Sequence, residues 1–101
     1  ENIYSTEVEA ALFAHPDVVD AAVIGVPNEK YGEVVKACIV KKEGSDLTEE
    51  DVINFCKDRI ASYKKPQSID FIDEVPRNAS GKVLKKVLRE PYWKDQDRQV
   101  S

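Results

Sequence analysis

The spacing of apolar residues divides the first half of the sequence into one helix and two strands. Thr6 and Glu9 match a capping box that would start the helix, which then shows apolar positions three and four residues apart. The β-branched runs 18–26 and 34–41 predict two strands. The polar loop between them, residues 27–33, is long for a hairpin.

The second half predicts two more helices and a third strand. Thr48 and Asp51 have the spacing at which each side chain can bond the other residue's backbone, which indicates a helix start. Residues 68–75 predict a strand, and the apolar residues within 83–88 predict a last helix. We expect residues 94–101 to form a flexible polar tail. The order α-β-β-α-β-α predicts an α+β fold, in which helices cover a small three-stranded sheet.

Length and charge narrow the classes of function. The 101 residues are enough for one small domain. Lys and Arg total 15 against 19 Asp and Glu, so the net charge is −4 and nucleic acid is a poor partner. No apolar run approaches the roughly 20 residues of a membrane span, so we expect no transmembrane segment. We expect a cytoplasmic protein and leave peripheral membrane association open.

Histidine and cysteine chemistry finds no support in the sequence. His15 is the only histidine and stands beside Pro16 at a helix end, which favours a structural role and excludes a multi-histidine metal site. Cys38 and Cys56 are the only cysteines, and they lie in apolar stretches without a second ligand pair. We therefore predict two buried thiols and no metal site.

One segment combines residue types that suit a phosphate. Ser80, Gly81 and Lys82 precede the last predicted helix, and a small loop, a helix N-terminus and a lysine can together bind an anion. The segment is not a P-loop, which needs a glycine and a hydroxyl residue where Pro76 and Val83 stand. Taken alone, the segment favours the simpler interpretation of Lys82 as a solvated lysine at a helix start.

Four short segments, taken together, resemble a known family. In chain order they are Asn2-Ile3 with Glu7-Val8-Glu9, Ile24-Gly25-Val26-Pro27-Asn28 with Gly32-Glu33, Tyr63-Lys64-Lys65-Pro66, and Pro76-Arg77-Asn78-Ala79-Ser80-Gly81-Lys82. Through them, residues 1–93 resemble the C-terminal domain of the adenylate-forming enzymes, above all of an acyl-CoA synthetase for fatty or aryl acids. The resemblance implies a fragment of a larger chain, whose N-terminal domain is the partner of this one.

That resemblance implies a two-step ligase. A carboxylic acid reacts with ATP to give an acyl-adenylate and pyrophosphate, and the acyl group then passes to coenzyme A with release of AMP. The larger N-terminal domain would hold ATP, Mg²⁺ and the acid, while the small domain rotates between the steps. Two alternatives stay open: an adenylation domain of the peptide synthetase type, which passes the acyl group to a carrier protein, and a binding module without activity.

The resemblance also implies roles for single residues. It assigns adenylation to Lys82 and a polar contact near the adenylate to Asn2. It assigns coenzyme A binding to an aromatic and polar set: Tyr31, Tyr63, Lys65 and Gln67. Rings suit stacking on adenine, and cations suit the nucleotide phosphates. Gln67 stands where relatives often carry a basic residue, and Tyr63 has the alternative of packing on the core at a helix end.

Overall fold

The elements follow one another in the predicted order. The structure is a computed structural model that describes the backbone of residues 3–61 and 65–100 and the side chains of residues 6–61 and 65–94. The described elements are α1 (Ile3–Phe13), β1 (Val18–Asn28), β2 (Gly32–Lys41), α2 (Glu49–Lys57), β3 (Ser68–Phe71) and α3 (Lys85–Val100).

The strands form one mixed sheet in the order β1-β2-β3. Strands β1 and β2 are antiparallel, with Ala22 opposite Cys38. Strand β3 runs parallel to β2, with Ser68 beside Lys36. The predicted fold class, α+β with a small three-stranded sheet covered by helices, is confirmed.

Apolar side chains cover both faces of the sheet. On one face, residues of α1 and α2 pack against the strands in the larger cluster, which includes Val8, Leu12, Val23, Ile39, Val52 and Cys56. On the other face, Leu88 and Tyr92 of α3 pack against a smaller cluster of Ile24, Val26 and Cys38. Because neighbouring residues of a strand point to opposite faces, Val23 and Ile24 contribute to different clusters.

The turn between β1 and β2 is shorter than the sequence predicts. Strand pairing continues to Asn28 and Gly32, so the predicted loop 27–33 is wrong at both of its ends. Pro27 cannot donate a ladder hydrogen bond, but β1 is an edge strand, where proline is tolerated. Asn28 Oδ1 accepts hydrogen bonds of 3.0 Å from the backbone N–H groups of Lys30 and Tyr31. Gly32 completes the turn with a φ of 78°, which favours glycine.

The last helix begins later and runs further than the sequence predicts. It starts at Lys85 and continues through Pro91 to Val100, well beyond the predicted helical segment 83–88. Two contacts hold this helix on the sheet beyond the proline. Trp93 Nε1 donates a 2.8 Å hydrogen bond to the carbonyl of Gly25, and the Tyr92 hydroxyl bonds the carboxylate of Asp70.

The two predicted capping boxes have different outcomes. At α2, Thr48 Oγ1 accepts from the N–H of Asp51 at 3.1 Å, and Asp51 Oδ2 accepts from the N–H of Thr48 at 3.0 Å, which confirms the prediction. At α1, the helix already begins at Ile3, so the box with Thr6 is wrong. Glu9 instead accepts a 2.8 Å hydrogen bond from the N–H of Val23.

Candidate functional site

Lys82 lies on a tight hairpin rather than at the first turn of a helix. Residues 77–83 form this hairpin, in which Arg77 and Val83 pair as an isolated antiparallel bridge. The N–H of Asn78 donates to the carbonyl of Lys82 at 2.9 Å, and the N–H of Gly81 donates to the carbonyl of Asn78 at the same distance. Gly81 has a φ of 90°, a conformation that glycine adopts without strain.

The side chain of Asn78 organises the tip of this hairpin. Its Oδ1 accepts from the backbone N–H groups of Ser80 at 3.0 Å and Lys82 at 2.9 Å, and from the hydroxyl of Ser80 at 2.8 Å. The residue that bears the candidate cation therefore has a fixed backbone. Its side chain is exposed, and no described residue forms an ion pair with its ammonium group.

Arg77 fixes the hairpin to the start of β1. One guanidinium nitrogen donates to the carbonyl of Gly81 at 2.8 Å, and another donates to Asp20 Oδ1 at 2.8 Å. Sequence reasoning assigned no role to Asp20. The signal that could have found it is a carboxylate inside the apolar run Val18–Ile24.

Tyr31 lies at the opposite end of β1, in the turn that leads to β2. Its side chain is exposed, at 64% of the maximal area, and Lys30 Nζ lies 5.2 Å from the centre of its ring. An exposed ring beside a cation is a suitable surface for a nucleotide base and its phosphates.

Lys65 and Gln67 lie just before β3, towards the same end of the sheet as Tyr31. The N–H of Gln67 donates a 2.8 Å hydrogen bond to the carbonyl of Val35. Strand β2 begins at Gly32, and Val35 lies three residues further on, about 10 Å from Gly32 along the strand. Gln67 is exposed and Lys65 is half-buried.

The structure separates the candidate residues into two groups. The Lys82 hairpin bonds to Asp20, whereas the turn that carries Tyr31 begins at Asn28. These anchors lie on one strand and are about 26 Å apart along it, at roughly 3.3 Å per residue. Asn2 and Tyr63 lie outside the described residues.

The two thiols are unsuited to nucleophilic chemistry. Cys38 and Cys56 are free and buried, as predicted. Burial, and after it the nearby carboxylate of Asp70, raise the pKa of Cys38 to about 11. Burial also raises the pKa of Cys56. His15 accepts a 3.0 Å hydrogen bond from the N–H of Asp17 at the end of α1, the structural role that its position predicts.

Neither a membrane span nor a metal cluster occurs in the described part of the chain. None of its helices combines the length and the hydropathy that crossing a bilayer requires. Its His, Cys, Asp and Glu side chains form no group of three that could hold a metal ion.

Comparison with known proteins places this arrangement in a family. Residues 7–82 match the AMP-binding enzyme C-terminal domain. A CoA ligase of Rhodococcus jostii (strain RHA1) is 54% identical over 89 residues, which are 88% of this chain and 17% of that protein. The fatty acid–acyl-carrier-protein ligase ScoC of Streptomyces coeruleorubidus is 43% identical over 101 residues, which cover the whole chain and 20% of that protein.

The fold agrees with the sequence comparison. The crystal structure of ATP-bound MatB from Rhodopseudomonas palustris superposes with a TM-score of 0.84 and 41% identity, over 91% of this chain and 18% of that one. The class is therefore that of the C-terminal domains of adenylate-forming enzymes. The chain belongs to the AMP-binding enzyme C-terminal domain family, as the sequence segments indicate, and it spans about a fifth of the length of the curated relatives it matches.

Proposed function

We propose that residues 1–93 are the C-terminal domain of a larger, ATP-dependent acyl-CoA synthetase. The enzyme would join a carboxylic acid to ATP, release pyrophosphate, and transfer the acyl group to coenzyme A with release of AMP. The family match and the relative named as a CoA ligase support this proposal. The acid would be selected by the N-terminal domain, the partner of this one.

Lys82 would act in the first step, the formation of the acyl-adenylate. Both reacting groups, the carboxylate and the α-phosphate of ATP, are anions that repel each other. A cation held between them lowers that repulsion and stabilises the charge of the transition state. The observation that carries this assignment is the exposed ammonium group of Lys82 on a hairpin whose backbone is fixed by Asn78 and Arg77.

The opposite end of the sheet would act in the second step. Tyr31 would stack on the adenine of coenzyme A, while Lys65 and Gln67 would bind its phosphates. Tyr63 would extend this surface, and Asn2 would contact the adenylate. The hairpin that carries Lys82 bonds to Asp20 near the start of β1, whereas Tyr31 follows the end of that strand, so the domain would serve both steps by turning a different end towards the reacting atoms.

Mg²⁺ would be held elsewhere in the enzyme. The described residues of this domain do not fit a metal site, because they offer no cluster of at least three suitable side chains. We therefore assign ATP-bound Mg²⁺ to the N-terminal domain and derive no step of this domain through it.

Pyrophosphate release by the intact parent enzyme tests the role of Lys82. Lys82→Ala should lower the adenylation rate by at least about 10²-fold, the usual cost of removing one preorganised charge contact. Lys86→Ala is the matched control, because Lys86 is also exposed and forms no ion pair within the described residues. Equal rates in the two variants would refute the assignment.

A carrier protein is the second candidate acceptor, and one observation favours it. ScoC matches the whole length of this chain, and it is named as a fatty acid–acyl-carrier-protein ligase. Turnover of the parent enzyme with coenzyme A, compared with turnover on a phosphopantetheinylated carrier protein, decides between the acceptors. Faster acylation of the carrier protein would replace our first proposal with this one.

A further inference from the structure

Two ion pairs flank Lys82 along the chain. Before it, Arg77 donates to Asp20 Oδ1 at 2.8 Å. After it, Lys85 Nζ lies 3.0 Å from Glu9 Oε2. The first pair ends on β1 itself, and the second ends on the carboxylate that also accepts from the N–H of Val23 in β1.

We propose that these pairs, Asp20–Arg77 and Glu9–Lys85, form a clamp that positions the Lys82 hairpin against the edge of β1 for adenylation. The four residues are positioning residues, since none is placed at the reacting atoms. The inference deepens the proposed function and depends on the role of Lys82 in adenylation.

Arg77 suits this role through the geometry of its side chain. A guanidinium is a planar fork, so its separate nitrogens bond two acceptors at once. Here one acceptor is the carbonyl of Gly81, in the peptide group that joins Gly81 to Lys82, and the other is the carboxylate of Asp20. The guanidinium therefore connects the residue next to Lys82 directly to the sheet. A lysine at position 77 would keep the charge but has a single nitrogen in place of the two that Arg77 uses here, so it cannot reproduce this planar two-point contact.

Glu9 and Lys85 provide the second attachment. Their side chains are 20% and 22% exposed, so solvent screens this pair less than a fully exposed one. Glu9 Oε2 also accepts from Val23 at 2.8 Å, which links α1, β1 and the start of α3 through one carboxylate. Lys85 is three residues beyond Lys82, so the hairpin is held at both ends.

The clamp is separable from the folding of the hairpin itself. The hydrogen bonds to Asn78 lie within residues 78–82 and involve neither Asp20 nor Glu9. Loss of the clamp should thus leave the hairpin able to form, but it should open more often and be free to move away from β1. That state would keep the charge of Lys82 and lose its fixed placement, which lowers the rate of adenylation.

The test uses the intact parent enzyme with Arg77→Lys, Asp20→Ala and Lys85→Gln. Each variant should lower kcat of pyrophosphate release about 10-fold, because Arg77→Lys and Asp20→Ala disrupt a charge-assisted hydrogen bond and Lys85→Gln removes the charge of a partly buried ion pair. Acyl transfer from preformed acyl-adenylate to coenzyme A should not change. Asp20→Ala and Arg77→Lys combined should lose less than the product of the single losses, because both remove the same contact. Lys86→Gln and Asp73→Asn are controls for the loss of a charge.

Hydrogen–deuterium exchange of the same variants separates positioning from general instability. Peptides that cover residues 77–84 should take up deuterium faster, while peptides from β2 should be unchanged. Normal adenylation by the clamp variants, beside a collapse in Lys82→Ala, would overturn the clamp and leave the proposed function intact. Normal adenylation by Lys82→Ala itself would overturn both. Equal losses in both half-reactions would show a merely structural role and overturn the clamp.

Discussion

Removal of Asp70 should destabilise the domain more than removal of the charge of Lys36, because the two partners are buried to different extents. Lys36 Nζ lies 3.1 Å from Asp70 Oδ1, and the two side chains are 11% and 37% exposed. The hydroxyl of Tyr92 donates to the other carboxylate oxygen, and Lys36 Nζ lies 5.2 Å from the centre of the Tyr92 ring.

These contacts set the size of each effect. Asp70→Ala leaves the nearly buried ammonium of Lys36 without its carboxylate and the Tyr92 hydroxyl without its acceptor. Stranding a buried charge costs about 3–5 kcal/mol, and we expect the lower end, about 3 kcal/mol. Lys36→Met keeps the apolar stem and leaves Asp70 with Tyr92 and water, so the cost should be only about 1 kcal/mol.

Urea unfolding of the 101-residue chain measures both values. The fluorescence of Trp93, the only tryptophan, reports on α3, and circular dichroism in the far ultraviolet reports on the whole fold. Lys42→Met is the control, because Lys42 is exposed. This substitution should change the free energy of unfolding by less than about 0.5 kcal/mol. Equal losses for Asp70→Ala and Lys36→Met, or a larger loss for Lys36→Met, would refute the reasoning from burial.

Further predictions concern the helix cap and the thiols. Thr48→Ala should lower the free energy of unfolding by about 1 kcal/mol in the same urea assay. Hydrogen bonds from Thr48 lower the pKa of Asp51 below its ordinary value of 3.8. The ionised carboxylate of Asp51 should therefore add its full contribution to the free energy of unfolding above pH 3.8, and this contribution should be lost as the pH falls through the lowered pKa. Asp51→Asn should remove this part of the dependence of stability on acid pH. Cys38 and Cys56 should not react with a disulfide reagent at pH 8 until urea unfolds the chain, and rapid labelling of the native protein would contradict their burial. The pKa of Cys38 is raised from 9.0 to about 11, so the folded state disfavours its thiolate. The free energy of unfolding should therefore fall as the pH rises from 9.0 to about 11.

Local patterns in the sequence were sufficient for the order of the elements. The β-branched runs of β1 and β2 and the paired signal of Thr48 and Asp51 act between near neighbours, so one sequence reveals them. The same reasoning failed where a distant residue decides. Trp93 holds α3 beyond Pro91 through a bond to Gly25, which is 68 residues away. Glu9 accepts a hydrogen bond from the backbone of Val23 in β1 and does not cap its own helix.

The candidate site was predictable in part. Lys82, Tyr31 and Lys65 follow from the motifs of the family, but their distribution over two ends of the sheet follows from strand register, which the motifs do not contain. The partnership of Asp20 with Arg77 spans 57 residues and depends on how the hairpin meets β1. No pattern of neighbouring residues encodes such a contact.

The central claim is that opposite ends of this domain serve the two half-reactions, and a crossed measurement tests it most directly. Lys82→Ala and Tyr31→Ala are each assayed in the parent enzyme for pyrophosphate release and for acyl transfer from preformed acyl-adenylate to coenzyme A. We predict that Lys82→Ala impairs only the first, and that Tyr31→Ala impairs only the second, by about 10-fold, with Tyr31→Phe retaining activity because its ring still stacks. Losses of equal size in both half-reactions for either alanine variant would contradict the account.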